Sequence, residues 1–167
     1  MIYSVIFKEQ KNMDEVTFRI SDSYEDICRI HDALYEFNLS RTGLGREEVK
    51  AKKRPGQQAL LAMLDNGATV CGGIVFHPGE QEDSLYVDFL FLDDRLRGKG
   101  AGKKLWKKFE TWAEEKGTGM VYLTTNTFQA PGFYLSMGFE ETDRFAFPVP
   151  LVPDNIRYSL CKKLNPR

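Results

Sequence analysis

The stretch "SLYVDFLFLDDRLRGKGAGKKLW", Ser84 to Trp106, constrains the fold more than any other part of the chain. Its first half is apolar at every position from Leu85 to Leu92 except Asp88, with Tyr86 the only other residue bearing a polar group. A strand with no polar face is buried on both sides, and such strands lie in the middle of a sheet. Its second half sets Gly98, Gly100 and Gly102 among Arg95, Arg97, Lys99, Lys103 and Lys104. Leu105, Trp106, Phe109, Trp112 and Ala113 then recur at helical spacing, opposite Lys107, Lys108, Glu110, Glu114 and Glu115. The unit is therefore a central strand, a bare basic loop and an amphipathic helix. Glycine at a helix start is costly unless the backbone must let something come close. Lysines in a first helical turn oppose the helix dipole unless an anion sits there.

The flanking segments decide the kind of sheet. "VTFRI" (Val16–Ile20) is β-rich, and "SDSYED" follows it with Ser21 or Ser23 as a helix cap. From Tyr24, a helical stripe runs through Ile27, Ile30, Leu34 and Phe37. The polar stretch Ser40–Gln58 is broken by Gly and Pro, with one short helix expected around Glu47–Lys53. "ALLAMLDNGATVCGGIVFH" reads as a hairpin turning at Asp65-Asn66-Gly67 and leads through "PGEQED" into the central strand. After the helix, which Gly117 and Gly119 close, come a strand ("MVYLTTNTF"), a short helix ("APGFYLSMG") and two strands ("FEETDRFAF", "NIRYSLCKKL"). Residues 1–13 form an extra edge strand or a tail on this reading. The order β-α-(α)-β-β-β-α-β-α-β-β is α/β in the broad sense, an α+β mixed sheet with helices packed on it. Consecutive hairpins exclude a purely parallel, doubly wound sheet.

The chain's 167 residues fit a single domain, 1–167. A formal net charge of -1 gives no overall attraction to nucleic acid or an anionic membrane, so any basic site is local. No apolar run is long enough to span a bilayer, and "MIYSVIFKEQ" lacks the pattern of a secretory signal, which points to the cytoplasm. Cys28, Cys71 and Cys161 are scattered, and His31 and His77 match no metal-ligand spacing, so the expectation is reduced cysteines and no metal.

Three phosphate-binding patterns bear on the glycine stretch. A P-loop fails, because Arg97 stands where its first glycine belongs and Lys104 follows Lys103. A dinucleotide fingerprint fails at Lys103, where its third glycine belongs. The pattern [QR]-x-x-G-x-[GA] is filled by Arg97, Gly100 and Gly102. Its physical sense is a strand end, a loop of free N–H groups and a helix N-terminus, all facing an anion.

With that pattern, "FLFLDDRLRGKGAGKKL" resembles the acetyl-CoA signature of the GNAT superfamily of N-acetyltransferases. "TFQAPGFYLSMGFEE" resembles the second cofactor motif of that family through Ala130, Phe133-Tyr134 and Gly138-Phe139, and "EFN" (Glu36–Asn38) is similar to a bacterial subgroup. The likeness covers about Val16 to Leu164. One departure is visible: the asparagine usual three residues before the alanine is Thr127 here, and Asn126 comes one position earlier.

The resemblance implies the GNAT acyl-CoA N-acyltransferase fold, a central mixed sheet with two splayed parallel strands. It implies direct transfer of an acetyl group from acetyl-CoA to a primary amine of a small molecule or peptide, by a monomer or homodimer. The pyrophosphate would lie on the amides of Arg97, Gly98, Lys99, Gly100, Ala101, Gly102 and Lys103. The pantetheine would meet the backbone near Leu90 and Leu92, with Asn126 a candidate polar contact. Tyr134 is the general acid by motif position. Asp88, the lone charge in an apolar strand, is the candidate base or an anchor for the substrate ammonium. Tyr86, on the same face, is expected to shape the amine pocket together with Glu36, which is also the second candidate for the base, and Ser40–Gln58 and the loop around Pro148–Asn155 border it. A non-catalytic acyl-CoA sensor is the alternative. A nucleic-acid binder is disfavoured by the net charge and by the lack of exposed aromatics among the basic residues.

Overall fold

In the computed structural model, residues 15–45 and 50–167 are described. The edge strand or tail expected for residues 1–13 lies outside them, as does the first part of the short helix expected around Glu47–Lys53. Lys50 to Lys53 adopt no regular structure; the backbone instead turns at Pro55-Gly56, where the Gln57 N–H donates to the Arg54 carbonyl at 3.2 Å.

The strands are Thr17–Ser21 (β1), Gln58–Leu64 (β2), Thr69–Pro78 (β3), Ser84–Leu92 (β4), Met120–Asn126 (β5), Glu140–Ala146 (β6) and Ile156–Lys163 (β7). The helices are Tyr24–Thr42 (α1), Ala101–Glu115 (α2) and Pro131–Ser136 (α3). The sheet runs β1-β2-β3-β4-β5-β7-β6, so β4 holds the central place that its apolar faces require. Among the described strands only β4 and β5 pair parallel; α2 is the crossover that joins them. The β2–β3 turn puts Asp65 and Asn66 at positive φ ahead of Gly67, a conformation those residue types tolerate.

Two cores hold the layers together. On one face Leu105, Trp106, Phe109 and Ala113 of α2 are fully buried against Ile74, Phe76, Val121, Leu123 and Leu160. On the other, Ile27 and Ile30 of α1 pack on Ala59, Leu61, Met63 and Val75. Each large apolar side chain so buried contributes about 1.5–3 kcal/mol. The strand β4 feeds both: Leu90 and Leu92 join the α2 side, Phe89 and Phe91 the α1 side.

The feature that positions a site is where pairing stops. β4 and β5 are paired only at Ser84–Tyr86 with Met120–Tyr122. Beyond that, β4 stays with β3 as far as Leu92↔Gly72, while β5 stays with β7 as far as Asn126↔Arg157. Each strand is held by its outer neighbour, so the inner edges diverge. The β3–β4 ladder also slips between Val75↔Phe89 and Phe76↔Val87, which leaves Asp88 as the extra residue of a β-bulge. A bulge sharpens local twist and re-aims side chains. It lies at the point where the two parallel strands part.

Candidate active site

The glycine loop leaves a run of donors open. None of the backbone N–H groups from Arg97 to Lys103 makes a hydrogen bond of good geometry to a described backbone acceptor; the first such helical bond is Lys104 N–H to the Gly100 carbonyl at 3.2 Å. Gly98 and Gly100 lie at φ 71° and 74°, and Gly100 caps α2 without a side-chain bond. Two of the three glycines are thus required by a left-handed backbone. Gly102 has no such φ, and a Cβ there would make ordinary contact with Phe133 at 3.4 Å. The basic side chains fold back on the chain. Arg95 pairs with Asp93, Lys99 reaches the Arg95 carbonyl at 3.0 Å, and Arg97 Nε donates to the Leu92 carbonyl at 2.7 Å. The Arg97 guanidinium also lies 4.8 Å from the Phe37 ring centroid, which ties the loop to α1. A pyrophosphate fits what remains, the open amides of the loop and of the first helical turn.

On the α1 side the parted strands open into a cavity of about 530 Å³. Leu34, Tyr35 and Asn38 of α1, Asp88 and Phe89 of β4, and Thr124 and Asn126 of β5 are among its walls, with Phe147 and Arg157 closing the far side. Ser40–Gln58 contributes Thr42, Leu44 and Gly45, and the β6–β7 loop contributes Val149. A larger hollow of about 1520 Å³, walled by β1 and α2, contains neither Asp88 nor Tyr134.

Asp88 is the best-connected polar group of the cavity. Its carboxylate is 4% exposed. Oδ2 lies 2.7 Å from His77 Nδ1 and accepts from Gln57 Nε2 at 3.2 Å, and Oδ1 lies 3.3 Å from Arg54 Nε. A carboxylate only accepts, so Nδ1 of His77 carries the proton and Nε2 is left for another partner. Sequence reasoning missed His77, Gln57 and Arg54. The one signal for them was hairpin register, which sets His77 opposite Tyr86, two residues from Asp88.

The other expected residues divide between the two faces. Tyr86 donates its hydroxyl to Thr124 Oγ1 at 3.4 Å across the mouth of the opening. Asn126 is buried and committed: its Nδ2 donates to Gln129 Oε1 at 3.3 Å, and its Oδ1 accepts from Asn155 Nδ2 at 3.1 Å. Gln129 in turn donates to Asn38 Oδ1 at 3.4 Å, which links α1 to β5 through carboxamides. Glu36 lies on the exposed side of α1, off the cavity wall. Tyr134 sits on the α2 face, buried among Trp106, Phe133 and Phe139, and its hydroxyl bonds no described residue. Burial raises its pKa well above that of a free phenol, so the hydroxyl stays protonated throughout the neutral range. The three cysteines are free; Cys71 is buried, and Cys28 and Cys161 are half-buried.

This is the layout of a transferase that uses an acyl-CoA: a phosphate loop, a parting of two parallel strands and a second cavity meeting it. Residues 24–139 match the acetyltransferase (GNAT) family. The chain is 38% identical over 117 residues to blasticidin-S acetyltransferase of Streptomyces morookaense, covering 70% of this chain and 75% of that one. It is 31% identical over 126 residues to peptidyl-lysine N-acetyltransferase YjaB of Salmonella typhimurium, covering 72% and 80%. A Bacillus anthracis str. Ames protein solved in complex with acetyl coenzyme A shares the fold, with a TM-score of 0.54 at 24% identity over 67% of this chain and 65% of that one. The chain belongs to the GNAT family and is an acetyl-CoA-dependent N-acetyltransferase. Among the described residues no helix is long and apolar enough to cross a membrane.

Proposed function

We propose that acetyl-CoA lies with its pyrophosphate on the amides from Arg97 to Lys103 and its pantetheine in the opening between β4 and β5. A small-molecule amine then enters from the cavity on the α1 side. The observation that carries this reading is a continuity of unmet backbone. The inner edge of β4 beyond Tyr86 has no partner strand, and the free N–H groups of the loop begin just after that strand ends. Leu90 supplies backbone hydrogen bonds to the pantetheine, and so does Leu92, whose carbonyl already accepts from Arg97. Asn126, held by Gln129 and Asn155, serves as wall of the acceptor cavity. Tyr86 holds the mouth of the opening at its width through Thr124.

The acceptor arrives as an ammonium ion and must lose a proton before it attacks. Asp88 takes that proton and later yields it to solvent, while His77, whose Nδ1–H donates to Oδ2, holds the carboxylate in place. The neutral amine forms a C–N bond to the thioester carbon. A β4 amide beside the bulge is the donor for the resulting oxyanion. The C–S bond then breaks, the thiolate takes the Tyr134 proton, and the proton shed by the new amide nitrogen restores the phenol. Net, an ammonium and acetyl-CoA become an acetamide, CoA and one released proton.

Tyr134→Phe keeps the ring and its packing against Trp106 and removes only the hydroxyl. Acetyl-CoA binding should stay within a few-fold of the parent, while turnover on a good amine falls roughly tenfold or more, because only the transition state carries charge on sulfur. Normal turnover in this variant, with chemistry shown to be rate-limiting, would remove Tyr134 from the mechanism and leave the acid to water.

A further inference from the structure

Among the described residues, Arg157 is the one Lys or Arg that lines the cavity on the α1 side. It is the second residue of β7, directly across the ladder from Asn126, so the two side chains share the cavity face. Its guanidinium sits 4.5 Å from the Phe147 ring centroid, Nε is buried without a hydrogen-bond partner, and it makes no ion pair with a described residue. The arginines nearer the chemistry are all engaged: Arg54 on Asp88, Arg95 on Asp93, Arg97 on Asp94 and the Leu92 carbonyl. A buried donor of a charged group left unmet costs more than an ordinary hydrogen bond is worth. Asn155 Oδ1, also buried and unpartnered, belongs to a residue off the cavity wall.

We propose that Arg157 binds an anionic group of the acceptor, and that the acceptor is a small amine bearing a carboxylate. This rests on the reading of the cavity as the acceptor site. The cavity lining carries both charges, Asp88 from β4 and Arg157 from β7 with β5 between the two strands, and the carboxamides of Asn38, Asn126 and Gln129 also line it. An amino acid of suitable spacing fits that arrangement, its ammonium toward Asp88 and its carboxylate toward the guanidinium. The planar fork of arginine takes a carboxylate through two parallel N–H bonds. A doubly charged phosphate would meet a single cation, because no other Lys or Arg of the described chain lines the wall.

The test is a panel of matched acceptors assayed by CoA release with acetyl-CoA. It contains the common α-amino acids, β-alanine, 4-aminobutyrate and 6-aminohexanoate, each beside its primary amide, together with a lysine-containing peptide. The amides of the α-amino acids present a larger fraction of neutral amine near pH 7, so among these pairs a preference for the acid is not explained by amine protonation. At least one acid should exceed its amide in kcat/KM by roughly 10- to 100-fold, the range of a charge-assisted bidentate contact. Arg157→Gln should bring that ratio to within about threefold of unity, and Arg157→Lys should restore part of it, with acetyl-CoA binding reporting that each variant is folded. Amides equal to acids, a ratio unmoved by Arg157→Gln, or a peptide favoured over every free amine would each overturn the proposal. So would a panel with no acetylated member when acetyl-CoA still binds, which leaves the cofactor reading standing. Failure of the parent protein to bind acetyl-CoA would overturn that reading too.

Discussion

Asp88→Asn should lower turnover by roughly 10²–10⁴-fold while acetyl-CoA binds as before. The carboxylate lies on the α1 side of the opening, away from the phosphate loop, so the cofactor loses no contact. What the variant loses is a proton acceptor and, with it, the partner that fixes His77 at 2.7 Å. The substituted amide still presents one oxygen to Gln57 or Arg54, and Arg54 is 43% exposed, so no charge is stranded in the core. The pH dependence separates two roles. If Asp88 accepts the proton, the deficit should shrink as pH rises toward the pKa of the free amine, about 10 for a lysine-like acceptor, because solution then supplies the neutral nucleophile. A change confined to the KM of the acceptor, with kcat intact, would show that Asp88 only attracts the cation.

Gly100→Ala should weaken acetyl-CoA binding by roughly tenfold or more, and Gly117→Ala should not. Both glycines have positive φ, 74° and 85°, and at both a Cβ would meet open space, so the backbone strain of the two substitutions is similar, about 1–2 kcal/mol. They sit at opposite ends of α2. Only Gly100 belongs to the run of amides that reaches the anion. Similar losses of thermal stability with calorimetric affinity lost in one variant alone would assign the loop to the ligand. Equal affinities would mean that its glycines serve the turn and nothing else.

The sequence carried the elements well and the tertiary partners poorly. β4 and α2 were legible because unbroken apolarity and a 3.6-residue period each have one physical solution. Asp88 stood out as a charge in that strand, yet nothing local could show its bulge, since register is set by pairing with β3. The partners of Asp88 come from three separate places, β3, the residue preceding β2 and the turn before it, and no spacing rule joins them. The parting of β4 from β5 was expected only through resemblance to a family, because a strand pattern does not say where its ladder ends. The glycine stretch was read as room for a ligand; the positive φ of Gly98 and Gly100 shows that the turn itself demands two of them. The helix expected about Glu47–Lys53 fails over Lys50–Lys53, where the chain runs irregularly into the Pro55-Gly56 turn instead.

The proposed cofactor site is the amide loop together with the opening beside β4. Titrating acetyl-CoA into ¹⁵N-labelled protein and following each amide resonance tests it most directly. The largest shifts should fall on Gly98 to Lys103 and on Val87 to Leu92, saturating together with one affinity. Shifts centred instead on Phe18, Ile20 and Lys104 to Trp112, around the hollow between β1 and α2, would contradict this placement.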